Sequence, residues 1–378
     1  MRIGHVTDFY LPRLGGIEMN VHDLATRQQA AGHEVEVITA TPGAGPDDLP
    51  VRRVTEDFRR PSALHPAAPL RVGGLLRSGG YDVVHVHIGV FSPLAFAAAG
   101  AAAAAGIPAV VTLHSLLSPY QPAFRAADGV IGWAGWPVQW TAVSDVAADS
   151  IRDLVGPRRP VLVLPNGIDP AQWRIRPQPR HPEEVLVAAV MRLATRKRPL
   201  PLLRMLRRAR AQLPSTVDLR AVVIGEGRQR PALERYLRRH RMSGWVELPG
   251  RLPRHKIAQV FERTDLFVAP AVLESFGIAA LEARCAGLPV LARSGCGIGT
   301  FVEHGQHGLL AADDAGMTRH LVRLASEPGE RARLAAGSRL SPPDLGWSSV
   351  LDRTSAAYAS AELLARPATR PSVLGATG

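Results

Sequence analysis

The sequence predicts an α/β protein built from two doubly wound domains in series, and three observations carry that expectation. The chain has 378 residues, 46% of them hydrophobic, too many for one core and suited to two domains of about 150–200 residues. Short Val/Ile-rich runs alternate with helical stretches through both halves, the pattern of βαβ units on a parallel sheet. These runs are apolar without polar alternation, as in strands covered on both faces. In such folds a ligand binds in the crevice at the strands' carboxyl ends.

The elements follow in order. Residues 1–165 form the first domain: Arg2 to Thr7 reads as a strand, Ile17 to Ala31 as a helix stopped by Gly32, and Glu34 to Thr39 as the next strand. Tyr81 to His87 and Ala109 to His114 are strand-like runs. Between them Pro93 to Ile107, Ala-rich and broken by Gly100 and Gly106, is too short to span a bilayer and reads as a buried helix. Trp140 to Ser144, a helix from Asp145 to Val155, and Pro160 to Leu164 complete the half. A Pro/Gly-rich stretch from Pro165 through Pro182 is the expected linker.

The second domain, 166–345, repeats the pattern. Its strands are Val185 to Val190, Leu219 to Ile224, Trp245 to Leu248, Leu266 to Ala269 and Pro289 to Ala292. Its helices are Leu200 to Leu213, Pro231 to His240, His255 to Thr264 and Ile278 to Cys285. Within 346–365, Trp347 to Ala365 reads as a last helix, expected to cross back to the first domain as a strap, with 366–378 a frayed tail.

Composition narrows the function classes. With 21% charged residues the chain is globular, and a disordered chain, a collagen and a disulfide-stapled miniprotein are excluded. Two cysteines, Cys285 and Cys296, are too few for a structural zinc site and demand no oxidising compartment. The N-terminus enters a strand at once, without the apolar core of a signal peptide. The expected location is therefore cytoplasmic.

Charge is uneven. Residues 1–165 hold 13 Arg, no Lys and 14 acidic residues, a net −1, whereas residues 166–378 hold 32 basic and 19 acidic residues, a net +13. Such a half suits an anion: nucleotide phosphates, a nucleic acid or an acidic membrane surface. Part of the excess is compositional drift, since the chain has 43 Arg against 2 Lys. No nucleic-acid partner is expected, because the basic residues lack interleaved aromatics and a recognition motif. Peripheral contact with the anionic inner face of the cell membrane remains an expectation.

The strongest motif is Glu274-Ser275-Phe276-Gly277-Ile278-Ala279-Ala280-Leu281-Glu282. It follows the strand Leu266 to Ala269 and opens a helix, so Phe276, Gly277 and Ile278 bring backbone N–H groups to a helix N-terminus that attracts phosphate oxygens. Glu274 before that turn and Glu282 inside it can accept hydrogen bonds from ribose or sugar hydroxyls. The bland alternative is a Glu capping its own helix beside a solvated Glu. Arg192 and Lys197, just past a strand ending near Val190, are fixed cations that would stabilise a departing diphosphate more than its ground state. Gly15 and Gly16, after the first strand, let backbone approach a phosphate without a Cβ in the way. The segment from Asp8 to Leu14 lacks the G-x-G-x-x-G of a dinucleotide site, which counts against a dehydrogenase. His85, His87 and His114 sit on adjoining strands with no nearby carboxylate to complete a metal site, and read as packing or hydrogen-bonding residues. Five aromatics between Leu116 and Trp140, namely Tyr120, Phe124, Trp133, Trp136 and Trp140, could wall an acceptor site or pack inside.

In the frame E-S-F-G-x-x-x-L-E-A-x-x-x-G-x-P-V, the two glutamates resemble the donor-site motif of retaining glycosyltransferases of the GT-B fold, the family 4-like "glycosyl transferases group 1". The likeness spans nearly the whole chain. Gly15-Gly16-Ile17-Glu18 resembles the family's glycine loop, Val143-Ser144 and Leu164 through Asp169 its interdomain segment, and Arg192-Leu193 with Lys197 its phosphate-binding pair. Ile224-Gly225-Glu226-Gly227 and Glu303 through Leu310 match the strand end and the segment that follow. Two positions depart: where the family has Gly before the Arg and after the Lys, this chain has Met191 and Arg198.

The resemblance implies two Rossmann-like domains facing a central cleft, acceptor on the N-terminal one and nucleotide on the C-terminal one. It implies transfer of a sugar from a nucleotide diphosphate donor, GDP-mannose or a UDP-hexose, to an acceptor hydroxyl of a lipid-linked or cell-envelope glycan, with retention. By the same resemblance Glu282 binds ribose, Glu274 the donor sugar, Arg192 and Lys197 the diphosphate, Gly16 approaches it, and His114 lies beside the reacting carbon. Gly15, Asn166, Glu226, Ser275, Phe276, Gly277 and Ile278 complete the substrate-binding set. No cofactor and no metal are expected. A sugar-nucleotide epimerase of the same fold and a basic nucleic-acid-binding protein are the alternatives.

Overall fold

The computed structural model describes residues 1–44, 48–57, 62, 64–157, 159–178, 181 and 183–366. The expected tail from 367 on lies outside the described residues, as do three positions of the expected linker. The chain divides into two compact units. The first comprises Met1–Ala142, Ala148–Leu164 and the chain from Leu351 on; the second comprises Val143–Ala147 and Pro165–Val350.

In the first unit β1 (Arg2–Thr7), α1 (Gly16–Ala30), β2 (Glu34–Thr39), β3 (Val51–Arg53), α2 (Ala68–Ser78), β4 (Val83–Ile88), α3 (Pro93–Ala105), β5 (Ala109–Leu113), α4 (Gln121–Ile131), β6 (Gln139–Ala142), α5 (Asp145–Val155) and β7 (Leu162–Val163) follow one another. They build a seven-stranded sheet in the order β3-β2-β1-β4-β5-β6-β7, parallel at every pairing. All six residues of β4 and all five of β5 are buried, which is why their sequences show no polar alternation.

The second unit runs β8 (Glu184–Val190), α6 (Pro199–Arg210), β9 (Asp218–Ile224), α7 (Arg230–Arg239), β10 (Val246–Gly250), α8 (Arg254–Phe261), β11 (Leu266–Ala269), α9 (Ile278–Cys285), β12 (Val290–Arg293), β13 (Gly308–Ala311), α10 (Asp314–Ser326) and α11 (Pro328–Leu340). Its six parallel strands lie in the order β10-β9-β8-β11-β12-β13. Their core side is filled by Val185, Val187, Leu202, Leu206, Val223, Leu266 and Leu291 among others. The last helix, α12 (Trp347–Ala365), carries Ala357, Tyr358 and Ala361 into the first unit's core with Ile3, Val21 and Val83.

The differences from expectation have physical causes. β3 is a three-residue edge strand, Val-Arg-Arg, too short and polar to read as one. Helix α4 carries Pro122 at its start and Gly129 near its end, signals that read as turn or loop. Of the two readings left open for the aromatics in that region, inside packing holds for two of them: Trp133 and Trp140 are 1% and 2% exposed. They stack edge to face at 5.3 Å, with Phe124 and Phe96 also edge-on to Trp133. The Trp133 Nε1–H donates to the Phe124 carbonyl at 3.0 Å. Those two indoles are core. No helix among the described residues is long and apolar enough to cross a membrane.

Candidate active site

The strand ends of the second unit position the predicted cations. Past β8 the chain is stitched to the turn after β9: Met191 N–H donates to the Ile224 carbonyl at 3.0 Å and Leu193 N–H to the Glu226 carbonyl at 2.8 Å. The approach is so close that a Cβ on Gly225, at φ 138°, would stand 1.9 Å from the Met191 carbonyl oxygen. Glycine is required there. Arg192 sits in the middle of this seam with its side chain exposed. Glu226, at the same seam, pairs with Arg230 at 2.6 Å.

A short turn then delivers Lys197 and Arg198. Arg198 has a left-handed backbone, φ 61°, a conformation that favours glycine, and this is the position where the resembled family has Gly. The side chain offsets that cost: its guanidinium pairs with Asp314 at the start of α10, which also holds Arg293 at 3.0 Å. Asp314 and Arg293 were missed by sequence reasoning, because only the folded sheet brings three such distant residues together.

Lys197 Nζ donates to Glu274 Oε2 at 2.5 Å, the two side chains 23% and 14% exposed. Glu274 leaves β11 on a loop pinned from behind: Gly297 N–H donates to the Glu274 carbonyl at 2.8 Å, and a Cβ on Gly297 would meet the Ser275 carbonyl at 2.0 Å. That second loop, Cys296 through Thr300, is another contributor the motif alone does not reveal. Ser144 Oγ, inside the second unit, donates to the Ser275 carbonyl at 2.5 Å and accepts from Ala147 N–H at 3.2 Å. Phe276 is buried and packs on Phe301 at 5.3 Å. Gly277 caps α9 at φ 92°, and a Cβ there would lie 2.6 Å from Ile298 Cγ1.

Ile278 opens α9, whose first N–H groups lack intrahelical partners and carry the positive end of the helix dipole. One turn in, Glu282 is 7% exposed, with Arg254 Nε at 3.9 Å. A cation pair at one strand end, a helix start beside it and a carboxylate on either side of that start bring together groups of the kind that attract phosphate oxygens and accept hydrogen bonds from hydroxyls. Asn166, also in this unit, is 5% exposed, and its Oδ1 has no hydrogen-bond partner among the described residues.

The first unit holds the other predicted residues. Gly16 is the first residue of α1 and exposed, with Gly15 extended before it at φ −171°. Neither has the left-handed backbone that requires glycine. His114 follows β5 and is 6% exposed, its Nε2 3.0 Å from His87 Nδ1. Burial pulls its pKa down to about 4, so the ring is neutral near pH 7 and suited to hydrogen bonding rather than to taking a proton. Nitrogens of His5, His85 and His87 lie within 4.8 Å of one another, a spacing compatible with metal ligation, but each is engaged by neighbouring side chains.

Comparison with known proteins matches the architecture. Residues 14–172 match the model of Glycosyltransferase Family 4, and residues 171–340 that of Glycosyl transferases group 1. A glycogen synthase of Mycobacterium tuberculosis is 30% identical over 96% of this chain and 95% of its own length. A D-inositol 3-phosphate glycosyltransferase of Thermomonospora curvata is 28% identical over 92% and 91%. The crystal structure of HepE from Anabaena, in complex with UDP and glucose, superposes with a TM-score of 0.75 at 20% identity, covering 95% of this chain and 100% of that one. The chain belongs to the GT-B glycosyltransferases of family 4 and group 1.

Proposed function

We propose that this glycosyltransferase moves a hexosyl group from a nucleotide diphosphate sugar, a UDP-hexose or GDP-mannose, to a hydroxyl of a lipid-linked or cell-envelope glycan, with retention of anomeric configuration. The observation that carries the reading is the Lys197–Glu274 pair beside the start of α9, with Glu282 one turn inside that helix.

As the glycosidic bond breaks, negative charge grows on the departing diphosphate. Lys197, Arg192 and the first amides of α9 meet it, an interaction stronger in the transition state than before it. Glu274 accepts from donor-sugar hydroxyls while holding the Lys197 ammonium in place. Glu282 accepts from the ribose hydroxyls, with Asn166 Oδ1, Ser275 and Glu226 as further polar contacts. By the family resemblance, Gly15, Gly16 and His114 of the first unit complete the proposed substrate-binding set, His114 as a neutral hydrogen-bonding group.

The relatives' names, a glycogen synthase and a D-inositol 3-phosphate glycosyltransferase, support a polyhydroxylated acceptor. The UDP and glucose bound to HepE support a UDP-hexose donor. The net +13 of residues 166–378 supports peripheral contact with an anionic bilayer, checked by sedimentation with anionic vesicles: protein left wholly in the supernatant refutes it.

The reaction is tested by following nucleoside diphosphate release from UDP-, GDP- and ADP-sugars against glycan, polyol and lipid-linked acceptors. The product's anomeric configuration is then read by NMR. Release that persists in EDTA, and a product with the donor's anomeric configuration, support the account. An inverted product refutes retention, and turnover that requires an added metal refutes the assignment of the leaving group to side-chain cations.

A further inference from the structure

The buried imidazoles of the first unit form a directed chain. Thr141 Oγ1 donates to the Val111 carbonyl at 3.3 Å, and a carbonyl can only accept. With its single proton spent there, Thr141 must accept from Thr112 Oγ1, 2.6 Å away. Thr112 in turn must accept from His85 Nε2–H at 2.7 Å. A neutral imidazole carries one N–H, so His85 Nδ1 is bare and accepts from the Tyr358 hydroxyl at 3.0 Å.

Tyr358 has then used its proton, and its oxygen accepts from Gln28 Nε2 at 2.9 Å. This fixes which end of the Gln28 amide faces which partner, a choice that ordinarily has to be inferred from the network. Gln28 Oε1 therefore faces His5 and accepts from its Nε2–H at 2.7 Å. His5 Nδ1, now bare, accepts from His87 Nε2–H at 2.9 Å, and His87 Nδ1 accepts from His114 Nε2–H at 3.0 Å.

We propose that this chain, anchored on the Val111 carbonyl and turned by Tyr358 and Gln28, holds His114 as its Nε2–H tautomer with an unprotonated Nδ1. Tyr358 on α12 and Gln28 on α1 are positioning residues. They reach His114 only through other rings, and they decide that its Nδ1 can accept a hydrogen bond but cannot donate one. Every ring must stay neutral for this to hold, and burial lowers the pKa of all four.

The tautomer stands on hydrogen bonds alone. Its use, accepting from a donor-sugar hydroxyl, rests on the function proposed above. In a buried network of this kind the direction is cooperative, so one break frees everything beyond it.

The test is a long-range 1H–15N NMR spectrum of the ¹⁵N-labelled full chain at pH 7, with His114 signals assigned by their loss in His114→Gln. His5, His85, His87 and His114 are each expected to show a protonated Nε2 and a bare Nδ1. Tyr358→Phe cuts the chain between His85 and Gln28. His85 then keeps its pattern, while the two nitrogen shifts of His114 converge as both tautomers populate. A wild-type His114 protonated on Nδ1 overturns the proposal, as does a Tyr358→Phe spectrum in which His114 is unchanged. If that variant does not fold, the wild-type spectrum decides alone. Nucleotide binding by Glu282→Ala tests the functional reading separately and leaves the tautomers untouched.

Discussion

Lys197 and Glu274, 77 residues apart in the chain, meet at 2.5 Å where the loops after β8 and β11 come together. The carboxylate keeps the ammonium aimed, and the ammonium serves the leaving group in the proposed reaction. Lys197→Ala is expected to lower kcat by about 10²–10³. Melting should move little, since a partly exposed ion pair contributes only about 0–1 kcal/mol. Lys197→Arg should recover part of the rate, because a guanidinium restores charge but not the compact reach of an ammonium. Steady-state kinetics beside calorimetric melting separates these effects; equal losses of rate and of folding would contradict a catalytic role.

Gly225 tests the seam that carries Arg192. A methyl there would enter the Met191 carbonyl at 1.9 Å, on a backbone at φ 138° that L-residues avoid. Gly225→Ala should cost about 1–3 kcal/mol in urea unfolding and weaken nucleoside diphosphate binding, because Met191 must move and Arg192 moves with it. Gly74→Ala in α2, with nothing within 4 Å of the added carbon, is the control: it should leave nucleotide binding unchanged and stabilise the fold by about 0.5–1 kcal/mol, the helix preference of Ala over Gly.

Acid should destabilise the fold, with a sign set by the buried histidines. Burial lowers the pKa of His5 and His114 to about 4 and places His85 and His87 well below the usual value. As pH falls through about 6.5 the unfolded chain binds protons that the folded one refuses. Each such histidine then removes up to about 1.4 kcal/mol per pH unit. Asp8 acts the other way. Its carboxylate accepts from Leu94 and Ala95 N–H at the start of α3, yet desolvation raises its pKa to about 6. Between 3.8 and 6 the folded state therefore keeps a proton that the unfolded chain has released, which adds stability as pH falls. Four groups against one leave a net loss. Urea midpoints at pH 7, 6 and 5 should fall, and Asp8→Asn should steepen the fall; midpoints flat across that range would contradict the neutral network.

The sequence carried what local chemistry can carry. β4 and β5 were legible because every residue in them is buried, and the Glu274–Glu282 segment because its turn, helix start and carboxylates lie within one short stretch. Register was not legible. His5 faces His85 across β1 and β4, and His87 faces Thr112 across β4 and β5; only that alignment turns scattered histidines into a chain. Asp314 escaped notice because its partners come from distant segments, Arg198 from the turn after β8 and Arg293 from the end of β12. Helix α4 escaped because Pro122 and Gly129 punctuate it like a loop.

The central claim is that the second unit's carboxylate-flanked helix start holds a nucleoside diphosphate, and ligand-dependent melting with UDP, GDP and ADP tests it most directly. At tenfold above Kd a bound nucleotide stabilises the fold by about 1.4 kcal/mol. At least one of the three should raise the melting temperature of the wild-type chain, and Glu282→Ala should abolish that rise. No shift with any nucleotide, or the same shift in Glu282→Ala, would contradict the account.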